Sequence, residues 1–199
     1  MSDVLVLYYS RNGATEALAR EVCLGIDSVE DMSARLRTVP PVSTVCEATA
    51  DTIPEKGPPY ATNRDLDECT GLVMGSPTRF GNMAAPLKYF LDGTGSEWLA
   101  GTLSGKPAGV FTSTSTMHGG QESTLITMAV PLIHHGMIIV GVPYTLAEIS
   151  TTTSGGGPYG ASHVSYNKKS VQISADEKVI AKALGQRVAE IALKLTRAS

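Results

Sequence analysis

The chain has 199 residues, 42% of them hydrophobic and 18% charged, so it is long enough to bury one sizeable core. Sixteen basic side chains stand against nineteen acidic ones, and the formal net charge of -3 is not the basic surplus of a nucleic-acid-binding protein. We therefore expect a single domain over residues 1–199 whose partners are small molecules or copies of the chain itself.

The amino-terminal apolar run is too short for a signal peptide or a membrane span, which favours a cytoplasmic protein. The three cysteines, Cys23, Cys46 and Cys69, have neither C-x-x-C nor metal-ligand spacing. We expect them to be core or surface residues, with no disulfide framework and no metal site.

Short apolar runs alternate with helical patterns along the chain. They predict strands at residues 4–9, 34–39, 72–75, 108–112 and 137–140, and helices at residues 15–25, 84–91, 123–134 and 175–195. Continuous apolar runs suit strands that are covered on both faces, so the pattern predicts an α/β fold with a doubly wound, five-stranded parallel sheet. The last helix has an apolar stripe from Val179 to Leu195 and a capping box formed by Ser174 and Glu177.

Two stretches fit neither pattern. Residues 39–65 are rich in Pro, and residues 141–170 are rich in Gly, Ser and Thr, so both are expected to leave the sheet as long excursions. Ligands of such sheets bind outside the carboxyl ends of the strands, which directs attention to the loops there.

The loop after the first strand, residues 10–15, reads SRNGAT and enters a helix. Its backbone N–H groups and the hydroxyls of Ser10 and Thr15 could hold a phosphate dianion. A tight turn with Thr15 as the N-cap fits the same residues. Because neither a P-loop nor a G-x-G-x-x-G fingerprint is present, the ligand favoured by the functional interpretation is a mononucleotide phosphate.

Two further loops have suitable chemistry for a planar ring. Residues 75–83, GSPTRFGNM, combine a rigid Pro, two glycines, an aromatic side chain and the cation Arg79. Residues 112–122, TSTSTMHGGQE, could direct several N–H groups towards one electron-rich edge of such a ring. A solvated surface arginine and a plain surface loop are the alternatives.

Five segments together carry a family resemblance: VLVLYYS at 4–10, GSPTRFGNM at 75–83, STST and GGQE within 113–122, IHHGM at 133–137 and GGPYGAS at 156–162. They resemble the WrbA family of flavodoxin-like NAD(P)H:quinone oxidoreductases, from the first strand to the last helix. The resemblance implies strand order 2-1-3-4-5, non-covalently bound FMN, and a homotetramer whose active sites are built by more than one subunit.

The resemblance also implies roles for individual residues. His134 matches a flavin-contacting histidine and is the catalytic candidate, whereas His135 is expected to be structural. Trp98, after a turn at residues 93–96, matches an aromatic beside the substrate pocket. The cofactor-binding residues implied are Ser10, Arg11, Asn12, Gly13, Ala14, Thr15, Pro77, Thr78, Arg79, Phe80, Gly81, Asn82, Ser113, Thr114, Ser115, Thr116, Met117, His118 and His134.

The sequence departs from the family pattern in two places. Asn12 stands where relatives often have an aromatic residue, and Met117 with His118 replaces a stretch richer in glycine. The activity expected is two-electron reduction of quinones by FMN in a ping-pong cycle, with NADH or NADPH as the electron donor. The alternatives are a flavodoxin-type one-electron carrier and a non-catalytic FMN-binding oligomer.

Overall fold

The computed structural model describes residues 2–42, 54, 57–166 and 172–198. All strand pairs in this part of the chain are parallel, in the order β2-β1-β3-β4-β5, with β6 also paired to β4. This confirms the predicted doubly wound α/β sheet. The strands are β1 Ser2–Tyr8, β2 Met32–Thr38, β3 Gly71–Pro77, β4 Pro107–Thr114, β5 Ile138–Ile139 and β6 Ala161–Val164.

Helices cover both faces of the sheet, and the four predicted ones are present with ends shifted by up to three residues. The capping box of the last helix is also present, since Ser174 and Glu177 exchange side-chain and backbone hydrogen bonds. The helices are α1 Ala14–Ile26, α2 Asn63–Glu68, α3 Ala85–Asp92, α4 Gly95–Ala100, α5 Gln121–His134, α6 Glu148–Thr151 and α7 Ala175–Ala198.

The fifth position of the sheet is divided between two short strands. Ile138 and Ile139 of β5 pair with Pro107 and Ala108 at the start of β4. β6 pairs with the end of β4, from Phe111 to Thr114. The predicted excursion after residue 141 therefore leaves the sheet and returns to it, and the single strand expected at residues 137–140 is only half of that position.

Several short elements were not predicted from the sequence: α2, α4, α6 and β6. Trp98 lies within α4, which begins at Gly95, so the turn expected at residues 93–96 is partly helical. In α7 the predicted stripe is confirmed at its centre, while Val179 and Leu195 at its ends are 38% and 39% exposed. Part of the predicted 39–65 excursion lies outside the described residues.

Alternate residues of the central strands point into two separate cores. One core places Val4, Val6 and Val73 against α1 and α7, and the other places Leu5, Leu7 and Met74 against α3 and α5. Strands buried on both faces require apolar residues at every position, which explains the continuous apolar runs of the sequence.

Helices α1 and α7 touch through two glycines. A Cβ at Gly25 would overlap the carbonyl oxygen of Lys182, and one at Gly185 would overlap that of Val22. The two backbones therefore approach as closely as glycine allows.

Two of the three cysteines, Cys23 and Cys69, lie in the described part of the chain. Cys69 is buried and Cys23 is half-buried, and both thiols are free. Burial raises the pKa of Cys23 to about 12 and that of Cys69 to about 11, so neither is a thiolate at neutral pH. Cys46 lies outside the described residues.

None of the helices in the described part of the chain has both the length and the hydropathy of a membrane-spanning helix.

Candidate flavin site

The predicted cofactor loops follow β1, β3 and β4, which are neighbours in the sheet. Because these strands are parallel, their carboxyl ends lie side by side at one edge. The structure thus brings together three of the sequence-predicted segments, residues 10–15, 77–82 and 113–118.

The loop after β1 leaves unpaired donors at the start of α1. Gly13, the N-cap, has φ 87°, in the left-handed region that favours glycine, and its N–H donates to the Ser10 hydroxyl at 3.1 Å. The N–H groups of the first helical turn have no intrahelical acceptor, and no side chain among the described residues caps them. Such a helix start fits the phosphate of a mononucleotide. The N-cap is Gly13 and not Thr15, which corrects the turn interpretation of this loop.

The hydroxyl of Thr15 points elsewhere. It forms a buried 2.9 Å hydrogen bond with the hydroxyl of Ser113 at the end of β4. Thr15 therefore joins the first loop to the third one, and its backbone N–H is the group that remains for a phosphate.

Residues 79–82 form a tight turn after β3. Arg79 and Asn82 exchange two backbone hydrogen bonds of 2.7 and 3.0 Å, and the central residues Phe80 and Gly81 have φ of 53° and 78°. Positive φ is strained for a bulky side chain, and the Phe80 ring is also fully exposed. A strained, exposed aromatic at this edge is a candidate contact for a ligand or for another subunit.

Thr78 anchors this turn to its surroundings. Its N–H donates to the carbonyl of Ser113 at 2.9 Å, and its hydroxyl pairs with that of Thr124 at 2.7 Å. The Arg79 guanidinium donates to the Thr78 carbonyl at 2.7 Å. Loops two and three are thus one hydrogen-bonded unit.

The third loop begins inside β4, where Ser113 and Thr114 are buried, and then becomes accessible at Ser115, Thr116 and His118. The hydroxyl of Thr114 donates to the carbonyl of Thr116 at 2.9 Å, which bends the chain back. Met117 and His118 line a cavity of about 120 Å³ together with Tyr159 of the returning excursion. The departure from the family pattern therefore lies where the excursion meets the loop.

A larger cleft of about 560 Å³ lies between the first two loops. Arg11, Arg79 and Lys88 line it, and no carboxylate is among the described residues that do so. This edge of the sheet can therefore accept anionic groups.

His134 and Trp98 lie away from these loops. Helix α5 starts directly after the third loop and ends at His134, next to β5, which pairs with the beginning of β4. Its 14 residues span about 21 Å at the usual helical rise. Both residues line a groove of about 500 Å³ between α3, α4 and α5 that extends to Asn82. Among the described residues, Asn82 at the end of loop 77–82 is the one flavin-loop residue that lines this groove with His134 and Trp98, and loops 10–15 and 113–118 do not reach it.

His135 has more contacts than the sequence suggests. Its Nε2 hydrogen-bonds to the Thr94 hydroxyl at 3.1 Å, and that hydroxyl donates to the Leu91 carbonyl, so Nε2 carries the proton. The buried Nδ1 has no partner among the described residues. Burial is the main cause that lowers the pKa of His135, which favours a neutral ring. No signal in the sequence identifies Thr94 as this partner.

No cluster of His, Cys, Asp or Glu in the described ranges could hold a metal ion.

Residues 3–151 match the sequence model of a protein family described as NADPH-dependent FMN reductase. The chain belongs to this family. Its similarity to full-length relatives extends beyond that region.

A protein of Acidithiobacillus ferrooxidans named NAD(P)H dehydrogenase (quinone) is 44% identical, covering 98% of this chain and 99% of the relative. A protein of Solidesulfovibrio magneticus with the same name is 40% identical, covering 97% and 98%. Among solved structures, a flavodoxin-type WrbA-like protein of Agrobacterium tumefaciens has a TM-score of 0.68 at 20% identity, covering 98% of this chain and 99% of that one. This last likeness concerns the fold, which is the flavodoxin-like one expected from the motifs.

Proposed function

We propose that this chain is an FMN-dependent NAD(P)H:quinone oxidoreductase that reduces quinones to hydroquinones by two electrons. The observation that carries the proposal is the meeting of loops 10–15, 77–82 and 113–118 at one sheet edge, with a helix start suited to a phosphate. The full-length similarity to relatives named NAD(P)H dehydrogenase (quinone) supports the same activity.

The protein groups have distinct tasks in this proposal. The first-turn N–H groups of α1, with Ser10 to Thr15 around them, bind the FMN phosphate. Residues 77–82 and 113–118 orient the ring, and the hydroxyl-rich loop 113–118 supplies donors near the charge that develops on reduction. The cleft containing Arg11 and Arg79 admits the anionic nicotinamide donor.

The chemistry supplied by bound FMN is acceptance of a hydride from NADH or NADPH and delivery of two electrons to the quinone. In the proposed ping-pong order, the oxidised nicotinamide leaves before the quinone enters the same place. The chain's own residues hold the ring and exclude water from it.

A cytoplasmic location of the protein stays a prediction.

We further propose a homotetramer in which His134 and Trp98 act on the flavin of a neighbouring subunit. These residues lie at the far end of α5 from their own flavin loops, so a second copy is needed to bring them to a ring. Exposed apolar side chains on α5 support such an interface, since Ile126, Val130 and Ile133 are 50%, 48% and 58% exposed. His134 would then donate a hydrogen bond or a proton at the ring or the quinone.

The test is an anaerobic absorbance titration of FMN-loaded protein with NADH and with NADPH, followed by benzoquinone. Loss of the flavin band on addition of either donor, reversed by one equivalent of benzoquinone, is expected. A band unchanged by both nicotinamides would exclude the oxidoreductase. Reduction of that band by dithionite through a stable one-electron state would then favour the one-electron carrier over the non-catalytic FMN binder.

Subunit sharing has its own test. His134→Ala and Arg79→Ala subunits are each expected to have little turnover, and mixed oligomers should recover part of it because some sites contain neither change. Mixed oligomers as inactive as the separate variants would contradict sharing, as would a His134→Ala protein with full turnover and normal FMN content.

A further inference from the structure

The carboxylate of Glu177 is 1% exposed and accepts four hydrogen bonds. Oε1 accepts from the N–H groups of Gly155 at 2.8 Å and Val164 at 3.2 Å. Oε2 accepts from the Ser174 N–H at 2.9 Å and faces His163 Nδ1, also at 2.9 Å. Only the Ser174 bond belongs to the capping of α7, so the other three serve another purpose.

Those three bonds fasten both arms of one segment, residues 155–164, to a single side chain. The segment is the returning part of the excursion, and Gly156 N–H also donates to the Ser162 hydroxyl at 2.7 Å, which closes it on itself. A Cβ at Gly155 would overlap the Ser162 carbonyl oxygen and lie 2.8 Å from Glu177 Oε1. The contact therefore needs glycine at this position.

The fastened segment adjoins the third flavin loop on two sides. His163 is in register with Ser113, and Val164 with Thr114, where β6 pairs with the end of β4. Beyond the strand, Ser165 N–H donates to the Thr114 carbonyl at 2.9 Å. Residues 115–118 thus continue from a strand end that β6 holds in place.

The second side is the cavity of about 120 Å³ between the segment and the loop. Gly156, Gly157, Tyr159 and Ser162 form one wall, and Met117, His118 and Gln121 belong to the other. Movement of the segment would therefore disturb both the end of β4, from which loop 113–118 continues, and the cavity wall formed by Met117 and His118.

We propose that Glu177 is a positioning residue of the flavin site, which holds residues 155–164 against β4 and thereby fixes the shape of loop 113–118. The proposal rests on the proposed FMN site but requires no turnover. Glu177 does not touch the ring in this scheme, because it acts through Gly155, His163 and Val164. An ionised carboxylate suits the task, since four donors point at it.

A matched control exists elsewhere in the chain. Asp65 has the same position in the capping box of α2 that Glu177 has in that of α7, and it is 6% exposed. Its carboxylate also accepts a 2.9 Å hydrogen bond from Arg37. Arg37 belongs to β2, which β1 and β3 separate from β4 in the sheet, so Asp65 contacts neither residues 155–164 nor loop 113–118. Asp65→Asn and Glu177→Gln both neutralise a buried capping carboxylate, and both are expected to lower the melting temperature.

The experiment measures the FMN dissociation constant of apo-protein by flavin fluorescence, well below the melting temperature of each variant. Glu177→Gln is expected to raise it about tenfold or more, while Asp65→Asn leaves it within about twofold of the wild type. Gly155→Ala keeps the carboxylate of Glu177 but displaces the segment, so it is expected to raise the FMN dissociation constant by a similar factor. It takes the place of Glu177→Gln in the comparison if the Glu177→Gln protein does not fold.

Equal dissociation constants for the Glu177→Gln and Asp65→Asn proteins, or an unchanged one for Gly155→Ala, would overturn the proposal. The absorbance spectrum of the bound flavin gives a second readout, because a displaced loop alters the polarity around the ring. Wild-type protein that binds FMN but is not reduced by NADH or NADPH would refute the proposed function while leaving this inference standing.

Discussion

The indole nitrogen of Trp98 donates a 2.8 Å hydrogen bond to the backbone carbonyl of His134. That carbonyl lies in the last turn of α5, where carbonyls have no intrahelical donor. Trp98 therefore caps the carboxyl end of the helix that carries His134. The candidate for substrate binding, Trp98, and the candidate for flavin contact, His134, are thus joined directly although 36 residues separate them in sequence. A change at Trp98 should consequently affect His134.

Replacing Trp98 with Phe keeps a ring but removes this hydrogen bond. We expect a loss of about 1 kcal/mol in the free energy of unfolding, and a smaller rise in the KM for benzoquinone than Trp98→Ala causes. Urea unfolding and steady-state kinetics at fixed FMN content measure the two effects. Equal KM values for the Phe and Ala variants would contradict a substrate-side role for the ring.

Phe80 combines a φ of 53° with full exposure. Phe80→Gly should raise the free energy of unfolding by about 1 kcal/mol because glycine adopts this conformation without strain, yet it should weaken FMN binding or subunit association. Chemical unfolding, flavin titration and sedimentation check these outcomes.

Asp31 is the matched control for Phe80, since it has φ 66° in the turn between α1 and β2, away from the flavin loops. Asp31→Gly should leave FMN affinity unchanged. Its gain in stability should be smaller than that of Phe80→Gly, because Asp tolerates positive φ better than Phe and the change also removes the exposed ion pair between Asp31 and Arg197. A Phe80→Gly protein that gains stability and retains both FMN affinity and oligomeric state would show that the ring has no binding role.

The sheet and the three loops were predictable because their signals are local. Strands buried on both faces need continuous apolar runs, and SRNGAT, PTRFGN and STSTMH follow three of those runs directly. The short strand Ala161–Val164 gave no such signal. Its four residues form a strand only because they pair with β4, which lies about fifty residues earlier in the chain. The sequence likewise did not show that His134 lies at the opposite end of α5 from the third loop of its own chain, because the direction of a helix relative to the sheet is fixed only by packing.

The contact between α1 and α7 is a purely structural target. Gly185→Ala should lower the free energy of unfolding by at least about 2 kcal/mol, because the added methyl group meets the backbone carbonyl of Val22, which cannot move aside alone. Gly95→Ala in α4 is the control, since nothing lies within 4 Å of a Cβ there. Denaturant unfolding should leave the control near the wild type, and equal destabilisation of both variants would contradict the packing argument.

The stability of the protein should depend on pH through Glu177. Burial alone would raise the pKa of this carboxyl, but the hydrogen bonds from His163, Ser174 and Gly155 outweigh it and lower the pKa to about 2. Since the pKa of an unfolded Glu is about 4.3, the ionised group contributes stability above that pH and loses it as the pH falls towards about 2. The contribution corresponds to about 3 kcal/mol.

Unfolding free energies of wild type and Glu177→Gln, measured from pH 6 down to about 2.5, test this dependence. The difference between the two proteins should be largest above about pH 4.5 and should shrink steadily below it. The deficit of Gly185→Ala involves no titrating group at the altered contact and should stay constant over the same range. A Glu177→Gln deficit that is equally constant would mean that the buried carboxylate does not stabilise the fold through its charge.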